Sequence, residues 1–111
     1  MKTELNEYKV MWVMVFYDLP TDTAKERKAA ARFRKEIMCD GFTMFQFSIY
    51  IRHCASMDNA KVHIKRVKAI LPDCGHVGIM CVTDKQFADI QIFYCKKEKA
   101  PNVAGIQLEL F

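Results

Sequence analysis

At 111 residues the chain is the size of one domain, and a composition 51% hydrophobic and 27% charged excludes a disordered protein. It has no apolar run of about 18 residues, and residues 1–9 lack the basic and apolar regions of a secretion signal, so a cytoplasmic protein is expected. The net charge of +4 divides as −2 over residues 1–22, +3 over 23–41, +4 over 42–71 and −1 over 72–111, so a basic middle is offered to a polyanion.

Residues 1–8 form a polar lead. Val10 to Tyr17 is a continuous apolar run rich in β-branched and aromatic residues, the pattern of a strand buried on both faces, and Asp18-Leu19-Pro20 stops it. Thr21, Asp22 or Thr23 can cap the helix that follows, because their oxygens accept from its free first-turn N–H groups. That helix runs from Thr23 to Cys39. Ala30, Phe33 and Ile37 make its apolar face, Lys25, Lys28, Arg32 and Lys35 a basic one, and Arg27 and Arg34 lie on a third; Gly41 is its terminator.

From Phe42 to Arg52 the residues alternate: Phe45, Phe47, Ile49 and Ile51 share one face, and Met44, Gln46, Ser48, Tyr50 and Arg52 share the other. One long strand and two short strands kinked near 46–48 both fit. Ser56 or Asp58 opens a second helix with a buried stripe of Ala60, Ile64, Val67 and Leu71 and an outer row of Lys61, Lys65 and Lys68; Pro72 ends it. Gly75 to Thr83 reads as a strand, Asp84–Ala88 as a turn and Ile90 to Cys95 as a further strand. Residues 96–105 are a charged linker and 106–111 an apolar tail. The order is βαββαβ, an α+β, ferredoxin-like domain over residues 9–95 with an added strand or tail. Two helices cover one face of such a sheet, and a second copy of the chain is the simplest cover for the other.

The five cysteines (Cys39, Cys54, Cys74, Cys81 and Cys95) are scattered, odd in number and free of any Cys-x-x-Cys, so reduced thiols are expected rather than a disulfide frame or a zinc knuckle. His53, His63 and His76 show no ligand spacing with them. The residue with most chemical content is Asp18, a carboxylate at the tip of a buried strand. It can cap the following turn or helix. Paired with a second copy across a two-fold axis, it can instead hold a divalent cation, since Mg²⁺ takes one or two carboxylates plus phosphate and water.

Three stretches carry a resemblance. Val15-Phe-Tyr-Asp-Leu-Pro20 is similar to the first strand of the CRISPR-associated Cas2 family, Phe45-Gln-Phe-Ser-Ile-Tyr50 resembles that family's second signature, and Thr83-Asp-Lys-Gln-Phe87 resembles its late turn. Their order and spacing match over residues 9–95. A toxin ribonuclease family of the virulence-associated protein D type shares the architecture and is the rival reading. The Cas2 resemblance implies a homodimer and a Mg²⁺ or Mn²⁺ site shared across the dimer by the two copies of Asp18. It implies a catalytic role for Tyr50 beside Asp18, and nucleic-acid contacts by Lys25 and Arg27. With them the basic helix brings Lys28 and Arg32. Many relatives have Arg where Lys25 stands, which turns a bidentate phosphate contact into a point charge. The resemblance also implies endonuclease activity on RNA or duplex DNA, and a bridging role between two dimers of the Cas1 integrase that holds foreign duplex DNA for insertion into the CRISPR array. In the tail, Gln107, Leu108, Leu110 and Phe111 resemble the short peptide by which bacterial proteins dock on the replicative sliding clamp, with two leucines and a Phe for an apolar groove. Ile106, Leu108 and Leu110 also alternate as a strand would.

Overall fold

The computed structural model describes residues 9–99. Its elements are β1 (Met11–Asp18), α1 (Ala24–Cys39), β2 (Thr43–Gln46), β3 (Ile49–Cys54), α2 (Met57–Ala69), β4 (His76–Thr83), α3 (Asp84–Ala88), β5 (Ile92–Tyr94) and β6 (Lys97–Lys99). The first four strands form one antiparallel sheet in the order β2-β3-β1-β4, which is the ferredoxin-like arrangement. β1 lies inside the sheet, with neighbours on both sides, as its unbroken apolar run requires.

Alternation along β1 sends Met11, Val13 and Val15 into the core beneath the helices. There they meet Phe33 and Ile37 of α1 and Ala60 and Val67 of α2. Burying each of the larger side chains stabilises the fold by about 1.5–3 kcal/mol. The α1 start is a full capping box: Thr23 accepts from the Glu26 N–H, and the Glu26 carboxylate accepts from the Thr23 N–H. Its end is a Schellman turn, in which Phe42 N–H donates to the Ile37 carbonyl, Gly41 N–H donates to that of Met38, and Gly41 sits at φ +92°.

Two short strands, not one long one, follow α1. Register shifts between Met44 and Gln46, and the chain reverses through Phe47 and Ser48, with Ser48 at φ +64°. Phe45, Ile49 and Ile51 keep the common face that alternation predicts, but the turn expels Phe47, which is 89% exposed. In α2 the cap is Ser56, and the buried stripe is Ala60, His63 and Val67; Leu71 lies beyond the helix and is exposed.

The sheet face away from α1 and α2 is partly covered by the chain itself. The segment read as a turn at Asp84–Ala88 is the short helix α3, capped by Thr83, which lays Phe87 flat on Trp12 with ring centroids 4.2 Å apart. Trp12 Nε1 donates to Asp84 at 2.7 Å. Toward the Asp18 end the same face shows Phe16 and Met80, both exposed. The apolar run after α3 yields only β5, which pairs with β6 in a separate hairpin where a linker is expected. Residues 1–8 and 106–111, with Gln107, Leu108, Leu110 and Phe111, lie outside the described residues.

Candidate functional site

Asp18 is the last residue of β1 and is exposed. It stands opposite His76, the first residue of β4, on the sheet face away from the helices. Gly75, at φ +92°, brings the loop before β4 against this end of β1. A Cβ there would lie 2.8 Å from the Asp18 carbonyl oxygen and 2.7 Å from Leu19, so only glycine fits. The Tyr17 N–H donates to the Ser48 carbonyl at 3.0 Å and ties the β2–β3 turn to the same rim. The Asp18 carboxylate takes no hydrogen bond or ion pair among the described residues. The capping role open to it from sequence belongs to Thr23.

On the helix side, Asp18 lines a cleft of about 300 Å³ with Tyr17, Arg34, Phe47, Ser48 and Tyr50. Tyr50 is 2% exposed and forms its floor, stacked on Tyr17 at 6.1 Å; Tyr17 meets Phe33 edge-on at 5.3 Å. Burial, with the charge and hydrogen bonding of Tyr50 added, pushes the Tyr17 hydroxyl up to about 12, against an opposing pull from the Arg34 guanidinium. Tyr17 is therefore a hydrogen-bond donor at any physiological pH.

The basic residues singled out in the sequence lie elsewhere. Lys25 borders a hollow with Leu19, Pro20 and Cys74. Lys28 and Arg32 border another, with Glu36 and Asp73, where Arg32 pairs with Glu36 at 2.7 Å. Arg27 donates to the carbonyls of Thr21 and Asp22 and so braces the loop between Asp18 and α1. The basic residue on the Asp18 cleft is Arg34, which the sequence shows only as one of two arginines off the main basic face.

Among the described residues no three His, Cys, Asp or Glu side chains gather as metal ligands. One chain thus offers a single unpartnered carboxylate here. That donor suits a hard cation that keeps most of its water and takes its remaining oxygens from phosphate or from a second copy. It does not suit zinc, which needs three or four protein ligands.

Fold and site together define a class: a small ferredoxin-like domain built around a carboxylate at a strand tip. A profile of the family described as CRISPR associated protein Cas2 matches residues 11–90, and the chain belongs to that family. A protein named CRISPR-associated endoribonuclease Cas2 from Flavobacterium psychrophilum is 55% identical over 109 residues, 98% of this chain and 95% of the relative. One of the same name from Parvibaculum lavamentivorans is 52% identical over 101 residues, 91% of this chain and all of the relative. A crystal structure of a Cas2 protein superposes with a TM-score of 0.54 at 20% identity, covering 83% of this chain and 93% of that one, and supports the fold. No helix among the described residues is long and apolar enough to cross a membrane.

Proposed function

We propose that this chain is a CRISPR adaptation protein that works as a homodimer and cleaves nucleic acid, RNA or DNA, with the help of Mg²⁺ or Mn²⁺. The observation that carries the proposal is the exposed Asp18 carboxylate, placed at the end of β1 and free of any partner among the described residues. The names of the relatives, which are those of endoribonucleases, support it. In the dimer the two copies of Asp18 are the residues that would hold such an ion. When bound, a divalent ion would supply positive charge against the negative charge of the phosphate to be cut. The chain's own groups shape the place for that phosphate: Asp18 stands at the rim, and Tyr17 and Tyr50 line the cleft beside it on the helix side.

The test is cleavage of single-stranded RNA and duplex DNA in Mg²⁺ and in Mn²⁺ by wild type and Asp18→Ala, with both sized in solution. The variant is expected to remain a folded dimer and to lose cleavage. Cleavage that persists in it sinks the metal reading.

In the cell, the dimer bridges two dimers of the CRISPR integrase in the cytoplasm and holds foreign duplex DNA for insertion. Lys25, Lys28 and Arg32 are exposed along α1 and suit sequence-blind phosphate contacts, with Arg27 bracing the loop that leads into it. Charge reversal at these four positions is expected to weaken duplex binding at moderate salt; unchanged affinity refutes this surface. Gln107, Leu108, Leu110 and Phe111 supply a peptide for the sliding clamp, a reading that rests on the sequence Gln-Leu-Glu-Leu-Phe at 107–111. A synthetic peptide of that sequence is expected to bind purified clamp, and no binding at high micromolar concentration ends it.

A further inference from the structure

The cleft at Asp18 carries two features that cation binding does not use. The first is Arg34. Arg27 is engaged with backbone carbonyls and Arg32 with Glu36, but the Arg34 guanidinium is exposed, has no hydrogen bond or ion pair among the described residues, and is near enough to act on the ionisation of Tyr17. The second is Phe47, which lines the same cleft with its side chain almost wholly in water. The residue is held there by construction: Ser48 takes a left-handed conformation, and its carbonyl is fastened to the Tyr17 N–H. A large aromatic side chain fully exposed on a braced turn is unusual, and a ring in that position offers a face for stacking.

We infer that this cleft is a subsite for one nucleotide of a single-stranded segment, with Arg34 gripping the phosphate and Phe47 stacking on the base. The inference rests on the reading of Asp18 as the place where nucleic acid is cut. A guanidinium presents a planar fork that matches two phosphate oxygens. The volume of about 300 Å³ is at the small end of ligand pockets and takes a phosphate and sugar, leaving the base at the mouth where Phe47 stands. A base inside a duplex already has both faces stacked on its neighbours. Phe47 therefore selects an unpaired base, and the substrate favoured at this site is a single strand or the frayed end of a duplex.

The test is equilibrium binding of a short fluorescent single-stranded RNA, and of a blunt DNA hairpin duplex, at several salt concentrations in EDTA. Arg34→Ala is expected to weaken single-strand binding about tenfold and to reduce the steepness of its salt dependence by about 0.7, the share of one phosphate contact. Arg34→Lys is expected to keep the salt dependence and lose part of the affinity, because the charge stays and the fork goes. Phe47→Ala is expected to weaken single-strand binding about tenfold while duplex binding changes little. Lys85→Ala, which removes an exposed charge on α3 away from the cleft, serves as the control.

The proposal is overturned by an Arg34→Ala protein that binds as wild type does. It is also overturned if Phe47→Ala weakens duplex and single strand equally, or if that variant sediments as a smaller species, since the ring would then be buried against a second copy. A wild type that binds neither oligonucleotide overturns it too. With no divalent ion present, the result is independent of cation binding: an Asp18→Ala protein that still cuts defeats the metal reading and leaves the subsite standing.

Discussion

Two carboxylates stand at the ends of two neighbouring elements, and the chain treats them in opposite ways. Asp40 caps the far end of α1. Its carboxylate accepts from His63 Nδ1 at 2.8 Å and from Arg66 at 2.9 Å, while its carbonyl accepts from Arg52 at 2.8 Å. Burial alone would push the Asp40 carboxyl up, but the hydrogen bonds and charges of His63 and Arg66 outweigh it and leave its pKa below the ordinary value of 3.8. The network joins the end of α1 to the buried side of α2 and to β3. Asp18, the last residue of β1, has no such partners among the described residues. A charge matched within the chain stabilises the fold and has little left for a ligand. A charge left bare contributes nothing to the fold and keeps all its oxygens for one. By that contrast we read Asp40 as structural and propose Asp18 as the working group.

The contrast can be broken or sharpened by substitution. The largest stability effect expected is from Asp40→Ala, which leaves the buried His63 ring and the Arg66 guanidinium without their acceptor. We expect it to lower unfolding stability by about 2–4 kcal/mol in urea titrations while leaving cleavage per folded molecule unchanged. Acid should reveal the same group. The Asp40 pKa is lower in the folded chain than in the unfolded one, so its contribution is fully present above the unfolded value and is lost as pH falls through the folded one. Urea titrations from about pH 6 to about pH 3 should show wild type losing more stability than Asp40→Asn over the lower part of that range.

Trp12→Phe keeps an aromatic ring against Phe87 and removes the bond to Asp84; a loss of about 1–2 kcal/mol is expected by thermal or urea unfolding. Arg32→Ala is the smallest. Its pair with Glu36 is a surface contact one helical turn apart, with the Arg side chain 82% exposed, and unfolding should change by less than about 0.5 kcal/mol.

The elements that build the sheet and its two helices are readable from the residues because each is specified locally. Val10 to Tyr17 reads as an interior strand, Thr21, Asp22 or Thr23 offers a cap, of which Thr23 is the one used, and Gly41 closes the helix. The β2–β3 turn is harder to see. Phe47 has the same parity as Phe45 and Ile49, so alternation runs straight through the reversal, and only the register shift at Met44 and Gln46 reveals it. β5 shows a limit of apolar content: Ile90 to Cys95 reads as a full strand, yet three of its residues pair, and with Lys97–Lys99 rather than with the main sheet.

Asp18 stands out in the sequence because an acid abruptly ends an apolar run. The Asp40–His63–Arg66 network does not, since Asp40 is more than 20 residues from the other two and meets them only when α1 and α2 pack. The one local hint is that His63 falls three residues after Ala60 and four before Val67, on the buried side of α2. Arg34 is missed for a similar reason. The Lys-rich face of α1 is what a sequence displays, whereas the cleft at Asp18 is defined by the β2–β3 turn, which sequence leaves open.

The account turns on which carboxylate does the work, and a matched pair of variants measures it most directly. Asp18→Asn and Asp40→Asn are assayed side by side for the rate of RNA cleavage in Mn²⁺ and for unfolding free energy in urea. The account predicts that Asp18→Asn loses cleavage, by about 10³-fold or more, at unchanged stability, and that Asp40→Asn loses stability at unchanged cleavage per folded molecule. Equal cleavage by wild type and Asp18→Asn, or a loss of stability in Asp18→Asn as large as in Asp40→Asn, would contradict it.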